Sequence, residues 1–337
     1  MNADALLDEF RALGGVAENV RIGDGAFGRG VLVVDPAKPA RVHASVNLLF
    51  PLEHMELHGE QLRMKPGAYP ERESAFFDAY QQHFGWSAGG YDYERRSQER
   101  WSTLPDEIRA YIASMGGLNN DQPRFAPPAL DACLVHFVYS RQFEYEDGLY
   151  LVPIVDLVNH ASVAPSYIYE EGIGVTSALD GELRVRYNVF DEWMLMMIYG
   201  FSDRALFAYS MGITVGLHNG ISLSIGRSAG ITDVRDGIAY PKMQQSNGTI
   251  ELTNLMLGNL NNPKSPRAIF RRLMDGVLTQ PEADETFDVI RQFNVMKFLE
   301  LLRLLRGNRG ELIDQLTVAA LNQLEALASC VGAMESP

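Results

Sequence analysis

The hydrophobic period of this chain runs strand-like, then helical, then strand-like again, and ends helical, and few architectures accept that order. Residues 20–36, VRIGDGAFGRGVLVVDP, read as strand, glycine-rich turn and strand. VHASVNLLFP (42–51) reads as another strand closed by Pro51. Residues 66–132 then change character: PERESAFFDAYQQHFGW and TLPDEIRAYIASMGG carry helical spacing, with start signals at Pro70 and at Thr103-Leu104-Pro105. The β pattern resumes with the apolar run Leu151-Val152-Pro153-Ile154-Val155, which reads as a buried strand ending near Asp156, Asn159 and His160. GIGVTSALDGELRVRY (172–187) reads as a hairpin turning at Asp180-Gly181, and further turns are expected at Asp236-Gly237 and Asn247-Gly248. Beyond Ser265-Pro266, an N-cap and N1 pair, everything reads helical. Ile269, Leu273 and Val277 make one apolar stripe there, and two longer helices follow over about 284–306 and 309–330. A helix over 3–13, stopped by Gly14-Gly15, precedes the first strand.

Composition excludes several function classes. A formal net charge of −14 argues against a partner bound through its phosphate backbone, so no nucleic acid is expected. Cys133 and Cys330 are the only cysteines, too few and too far apart for a zinc cluster or a disulfide framework, and no metal is expected. The opening MNADALLDEFRALGG is an acidic amphipathic helix rather than a secretory signal, and no stretch approaches a membrane span of about 18 apolar residues. With 46% hydrophobic and 21% charged residues in 337, the expectation is a globular cytoplasmic protein with no membrane partner.

Four short pieces carry the chemistry: GAFGRGV at 25–31, SRQF at 140–143, DLVNH at 156–160, and DGELRVRYNVFDEWMLMMIYGF at 180–201. Each has a bland reading, as hairpin turn, strand end or core aromatics. The glycine turn is followed by a strand, so it offers no helix N-terminus to a pyrophosphate and is no dinucleotide fingerprint. In this order the pieces resemble the SET-domain methyltransferases, in particular the split-SET group of the plant Rubisco lysine methyltransferases. The matching residues are Gly28-Arg29-Gly30, Leu151-Val152-Pro153 through Asn159-His160, Gly181-Glu182 with Tyr187, and Tyr199-Gly200-Phe201, over roughly 4–60 and 133–213.

The resemblance implies a mixed, β-rich SET fold of small sheets with a pseudoknot, interrupted by a helical insertion and followed by an α-helical C-terminal domain. Its expected parts are 1–65 and 133–255 for the split SET domain, 66–132 for the insertion and 256–337 for the helical domain. It implies an S-adenosyl-L-methionine-dependent protein-lysine N-methyltransferase. By carry-over, Phe27, Gly28, Arg29, Gly30, Arg141, Asp156, Asn159, His160 and Tyr187 bind the cofactor. Arg141 would face the cofactor's carboxylate, and Tyr187 is the catalytic residue. Phe143 and Tyr199, with Tyr187, wall the lysine channel. Such a channel must desolvate an amine whose ordinary pKa is about 10.4, so that a lone pair is free to attack. A protein or peptide substrate would dock on the insertion or on the C-terminal helices.

The chain departs from the family in places. Phe27 stands where an acidic residue often precedes the GxG, the stretch from Asn159-His160 to Tyr187 is short, the helical tail is small, and SDRALFAYSMG has no clear counterpart. The acceptor could instead be a histidine or a small amine. The alternative of another class is a non-catalytic SET-like module that binds a peptide or the cofactor.

Overall fold

The computed structural model describes residues 2–115, 128–218, 220–227, 234–235 and 238–330. The turn expected at Asp236-Gly237 and the Gly116-Gly117 end of the 103–117 helix lie outside these residues. The architecture is mixed: small open sheets, helices between them, and a helical C-terminal region. The helices are Ala3–Ala12 (α1), Glu71–His83 (α2), Gly90–Ser102 (α3), Asp106–Met115 (α4), Leu130–Tyr139 (α5), Glu192–Tyr199 (α6), Ser265–Leu273 (α7), Gln280–Leu305 (α8) and Glu311–Ala328 (α9). The chain divides into two compact units, 1–102 with 126–187, and 103–125 with 188–337. Of the helices in 66–132, α2 and α3 fall in the first unit and α4 in the second.

In the first unit, Val20–Gly25 and Gly28–Val33 form the glycine-rich hairpin, and Glu182–Val185 lies antiparallel to its second strand. Asn159–His160 extends this sheet, parallel to Glu182–Val185. The Asp180-Gly181 turn is present. Both residues have positive φ, 52° and 80°, the mirror-image turn whose twist suits two short strands. The hairpin is shorter than its sequence suggests, because Gly172–Val175 leaves it to pair with Arg41–Ser45. The stretch 42–51 is likewise not one strand. It stops at Ser45, makes a 3₁₀ turn over Val46–Leu48 and resumes at Phe50–Pro51. The break lies where Asn47 sends its amide 2.8 Å to the Leu13 carbonyl and accepts the Ser45 hydroxyl, an alternative to a strand ladder. Leu6 and Phe10 of α1, Phe76 and Phe77 of α2, and Phe50 are buried in the core behind these sheets.

In the second unit a four-stranded sheet runs Ile213–Gly216, Ser222–Gly226, Thr249–Thr253, Lys242–Ser246, with the expected turn at Asn247-Gly248. The helical tail starts one residue from its expected cap. Lys264 is the N-cap of α7, and Ser265 begins the helix with its hydroxyl donated to the Asn262 carbonyl. The buried line of α7 is Pro266, Phe270 and Met274, while Ile269, Leu273 and Val277 are only partly buried. Phe270 packs on Phe287 of α8 with ring centres 5.7 Å apart, and Arg267 and Arg271 bridge to Asp284 and Asp288. Thr279 and Glu282 close a capping box at the start of α8.

Candidate functional site

Gly30 sets the closest approach in the first unit. A Cβ built on it would lie 2.2 Å from Glu182 Oε1 and 2.7 Å from Asn159 Nδ2, so only glycine lets these side chains reach across the strand. There Asn159 donates to Glu182 Oε1 at 2.6 Å and, more weakly, to the Arg29 carbonyl at 3.3 Å. Arg184 sits 2.9 Å from Glu182 Oε2 and donates to the His160 carbonyl. Phe27, at the exposed hairpin tip, covers this group, with the Arg184 guanidinium 4.0 Å from its ring centre. The alternation Leu183, Val185, Tyr187 suggests that Glu182 and Arg184 face solvent. Both are buried, at 3% and 6% exposure, because hairpin tip and Asn159 cover that face. Arg29 reaches instead to Phe84, just after α2.

The run Leu151–Val155 is not the continuous buried strand its composition suggests. The strand Gly148–Leu151 ends, Ile154 takes φ 73° and ψ −45°, and Val155–Leu157 forms a 3₁₀ turn before Asn159–His160. That conformation, near the strained γ-turn region, is costly for a β-branched residue. Fully buried packing of Val152, Ile154 and Val155 holds it in place. The kink sends Asp156 toward the Tyr80 hydroxyl, which donates to Asp156 Oδ1 in a short contact. Burial raises the Asp156 carboxyl to about 6, against the lowering effects of the Tyr80 bond and the Arg141 charge.

Tyr187 donates its hydroxyl to the Val158 carbonyl at 3.0 Å, which puts its oxygen beside the Asn159 peptide. Burial pushes this phenol above its ordinary value, which favours the protonated hydroxyl that donates to Val158. The Tyr187 backbone N–H donates to His160 Nδ1 at 3.2 Å. Its Nε2 lies 3.1 Å from Ser162 Oγ, so the ring is fixed from both nitrogens. Tyr167 stacks parallel to Tyr187 at 6.5 Å and meets Phe143 edge-on at 4.9 Å. His160 lies edge-on to Tyr187 at 5.0 Å, completing an aromatic wall.

Arg141, just past α5, stacks 4.2 Å over Phe137 and uses Nη1 to reach Glu94, Ser140 Oγ and the Phe137 carbonyl. Among the described residues, Nε and Nη2 make no hydrogen bond. Its charge acts on both Asp156 and Tyr187. Thus Gly30, Arg141, Phe143, Asp156, Asn159, His160 and Tyr187 all belong to one unit and are linked through these contacts. Tyr199 belongs to the second unit, at the end of α6, where its ring packs on Phe190 and Phe201.

Sequence reasoning missed Tyr80, Arg184 and Tyr167, and gave Glu182 no role beyond its motif. Tyr80 lies at helical spacing on α2 like a core aromatic, and nothing local marks its Asp156 partner 76 residues away. Tyr167 had a weak signal in the repeated aromatics of Tyr167-Ile168-Tyr169. Among the described residues, no group of three or more His, Cys, Asp or Glu is placed to hold a metal ion, and no helix is long and apolar enough to cross a membrane. Comparison with protein-family models and with curated proteins finds no match for this chain.

Proposed function

We propose that this protein is a split-SET S-adenosyl-L-methionine-dependent N-methyltransferase acting on a protein lysine. The observation that carries the reading is the meeting of three distant segments at one place. Tyr187 is bonded to the Val158 carbonyl, Asn159 follows, and the Asn159 amide lies against Gly30. The parallel run of Asn159–His160 along Arg184–Val185, continued by the Ser166–Arg186 bridge, supports a chain threaded beside its own hairpin, as the pseudoknot requires.

One feature supports the fit to the cofactor: Arg141 meets its partners through Nη1, and its Nε and Nη2 make no hydrogen bond among the described residues, which leaves that edge of the fork to a carboxylate. Arg141, Asn159 and the backbone around Gly28–Gly30 and Val158–His160 would hold it. When bound, it supplies an activated methyl on a sulfonium. The chain's own residues do the rest. Phe143, Tyr167 and Tyr187 form an apolar wall that strips water from a lysine amine and favours its neutral form. The Tyr187 oxygen, whose proton goes to Val158, would accept an N–H of the incoming amine and so orient it. Asp156, held by Tyr80, is the nearby carboxylate that Arg141 compensates. On this reading the protein works in the cytoplasm, and its protein substrate docks on the helices of 66–132 or of the C-terminal region.

Thermal melting with S-adenosylmethionine tests the reading. A ligand at about 100 times its dissociation constant should add about 2.7 kcal/mol of stability. Unchanged melting together with no methyl transfer to any protein of a labelled proteome would leave the non-catalytic module as the better reading.

A further inference from the structure

The buried face of α3 is unusual in its chemistry. Glu94, Ser97, Gln98 and Trp101, at positions where a packing helix carries apolar residues, are all buried. Three of the four are polar, and one is a carboxylate with 1% of its side chain exposed. Burying a carboxylate is costly unless it is paired, and a well-packed apolar side chain at the same position is often the more stable choice. Glu94 pairs with two described residues that lie on or just beyond α5, His136 and Arg141. His136 Nδ1 is 2.5 Å from Glu94 Oε2, with the imidazole itself buried. Arg141 Nη1 is 3.4 Å from Glu94 Oε1.

These distances make a relay of fixed groups from the interior of the α3–α5 pair to the candidate site. His136 sits one side of the carboxylate and Arg141 the other. Phe137, between them in sequence, lies under the guanidinium at 4.2 Å. The guanidinium is thereby held on its Nη1 edge and over its flat face, and its remaining edge carries the N–H groups without a hydrogen bond among the described residues. A long, flexible arginine side chain loses much rotamer freedom when it binds a ligand, and holding it beforehand removes part of that cost.

We propose that Glu94 and His136 are positioning residues for ligand binding. Through the buried carboxylate they share with Arg141, they hold its guanidinium ready for the carboxylate of an amino-acid-bearing ligand. The inference rests on the methyltransferase reading, since it takes the cofactor's amino-acid carboxylate as the partner of Arg141. A merely structural role for the same pair would tie α3 to α5 and affect every ligand of the unit alike.

The test compares S-adenosylmethionine with 5′-methylthioadenosine, which lacks the amino-acid part, by calorimetric titration. Glu94→Gln should weaken S-adenosylmethionine roughly 5- to 50-fold and change methylthioadenosine by less than about 2-fold. In an Arg141→Ala background, Glu94→Gln should add no further loss. His136→Ala should weaken S-adenosylmethionine in the same selective way, and His136→Asn, which keeps an N–H near the Nδ1 position, should restore most of the affinity. The His136 pair decides the matter if Glu94→Gln does not fold. Equal losses for both ligands, or a loss that persists without Arg141, overturn the proposal in favour of an interhelical tie. A wild-type affinity in Arg141→Ala overturns the cofactor reading and this inference with it. A loss in Arg141→Ala beside wild-type binding in Glu94→Gln overturns this inference alone.

Discussion

Tyr187 is the residue on which the catalytic claim turns, and its surroundings separate its two roles. The ring stacks on Tyr167 and packs against His160, while the hydroxyl donates to the Val158 carbonyl. Tyr187→Phe keeps the ring and removes the hydroxyl. As a core residue it should cost about 1 kcal/mol of stability and nothing in turnover. As the residue that orients the amine, its loss should slow methyl transfer roughly 10- to 1000-fold, about 1.4–4 kcal/mol of barrier, with little change in cofactor affinity. Single-turnover methylation at the wild-type rate would remove Tyr187 from the chemistry. Asn159, Gly30 and Tyr187 could be proposed from the sequence only through the family resemblance, whose short motifs are local and ordered. Glu182, Arg184 and Tyr80 could not be given roles, because each depends on a partner that only folding brings near.

At the scale of elements, α6 offers a pH prediction. Its N-cap Asp191 accepts from the Met194 N–H and pairs with the buried Arg227. The next residue, Glu192, is buried at 1% exposure and accepts from Ser202, from the Ala205 N–H and from Asn322 of α9. Burial raises its carboxyl to about 7, against the lowering effect of those bonds. A carboxyl raised in the folded state binds its proton more tightly there than in the unfolded chain. Its contribution is therefore fully present below the ordinary value of 4.5 and is lost as pH rises through about 7. From a shift of this size the loss is roughly 3 kcal/mol between about pH 4.5 and 7.5. Denaturant unfolding of wild type and Glu192→Gln across that range checks it: the glutamine variant should lose much less stability as pH rises. Parallel pH curves for the two proteins would show that Glu192 is not the group responsible.

At the scale of the whole molecule, the C-terminal helices form part of the core of the second unit. Phe270, Phe287, Ile290, Phe298, Leu301 and Leu316 are completely buried there. The backbone of α9 closes on Gly258, where a Cβ would lie 2.2 Å from the Ala326 carbonyl. From the middle of the chain, α4 packs on α8, where the Tyr111 hydroxyl donates to the Lys297 carbonyl. Truncation after Asn262 should therefore unfold the second unit rather than only remove a docking surface. The expected result is an insoluble product or one that melts far below the full chain. A soluble product melting like the full-length protein would restore the view of the tail as a separable docking domain.

The sequence by itself determined the order of strand-rich and helical stretches, the mirror-image turns at Asp180-Gly181 and Asn247-Gly248, and the glycine hairpin. All of these rest on period and on local backbone chemistry, which a few adjacent residues settle. Only the tertiary structure decided where the apolar run to Val155 kinks, which face of α7 is buried, and that the polar face of Glu182–Val185 is covered. The physical reason is the same in each case. Ile154 accepts a costly φ because surrounding packing holds it there, Phe270 meets a helix beginning ten residues later, and Glu182 finds Asn159 across Gly30. Those energies come from contacts between distant segments, and neither local spacing nor composition carries them.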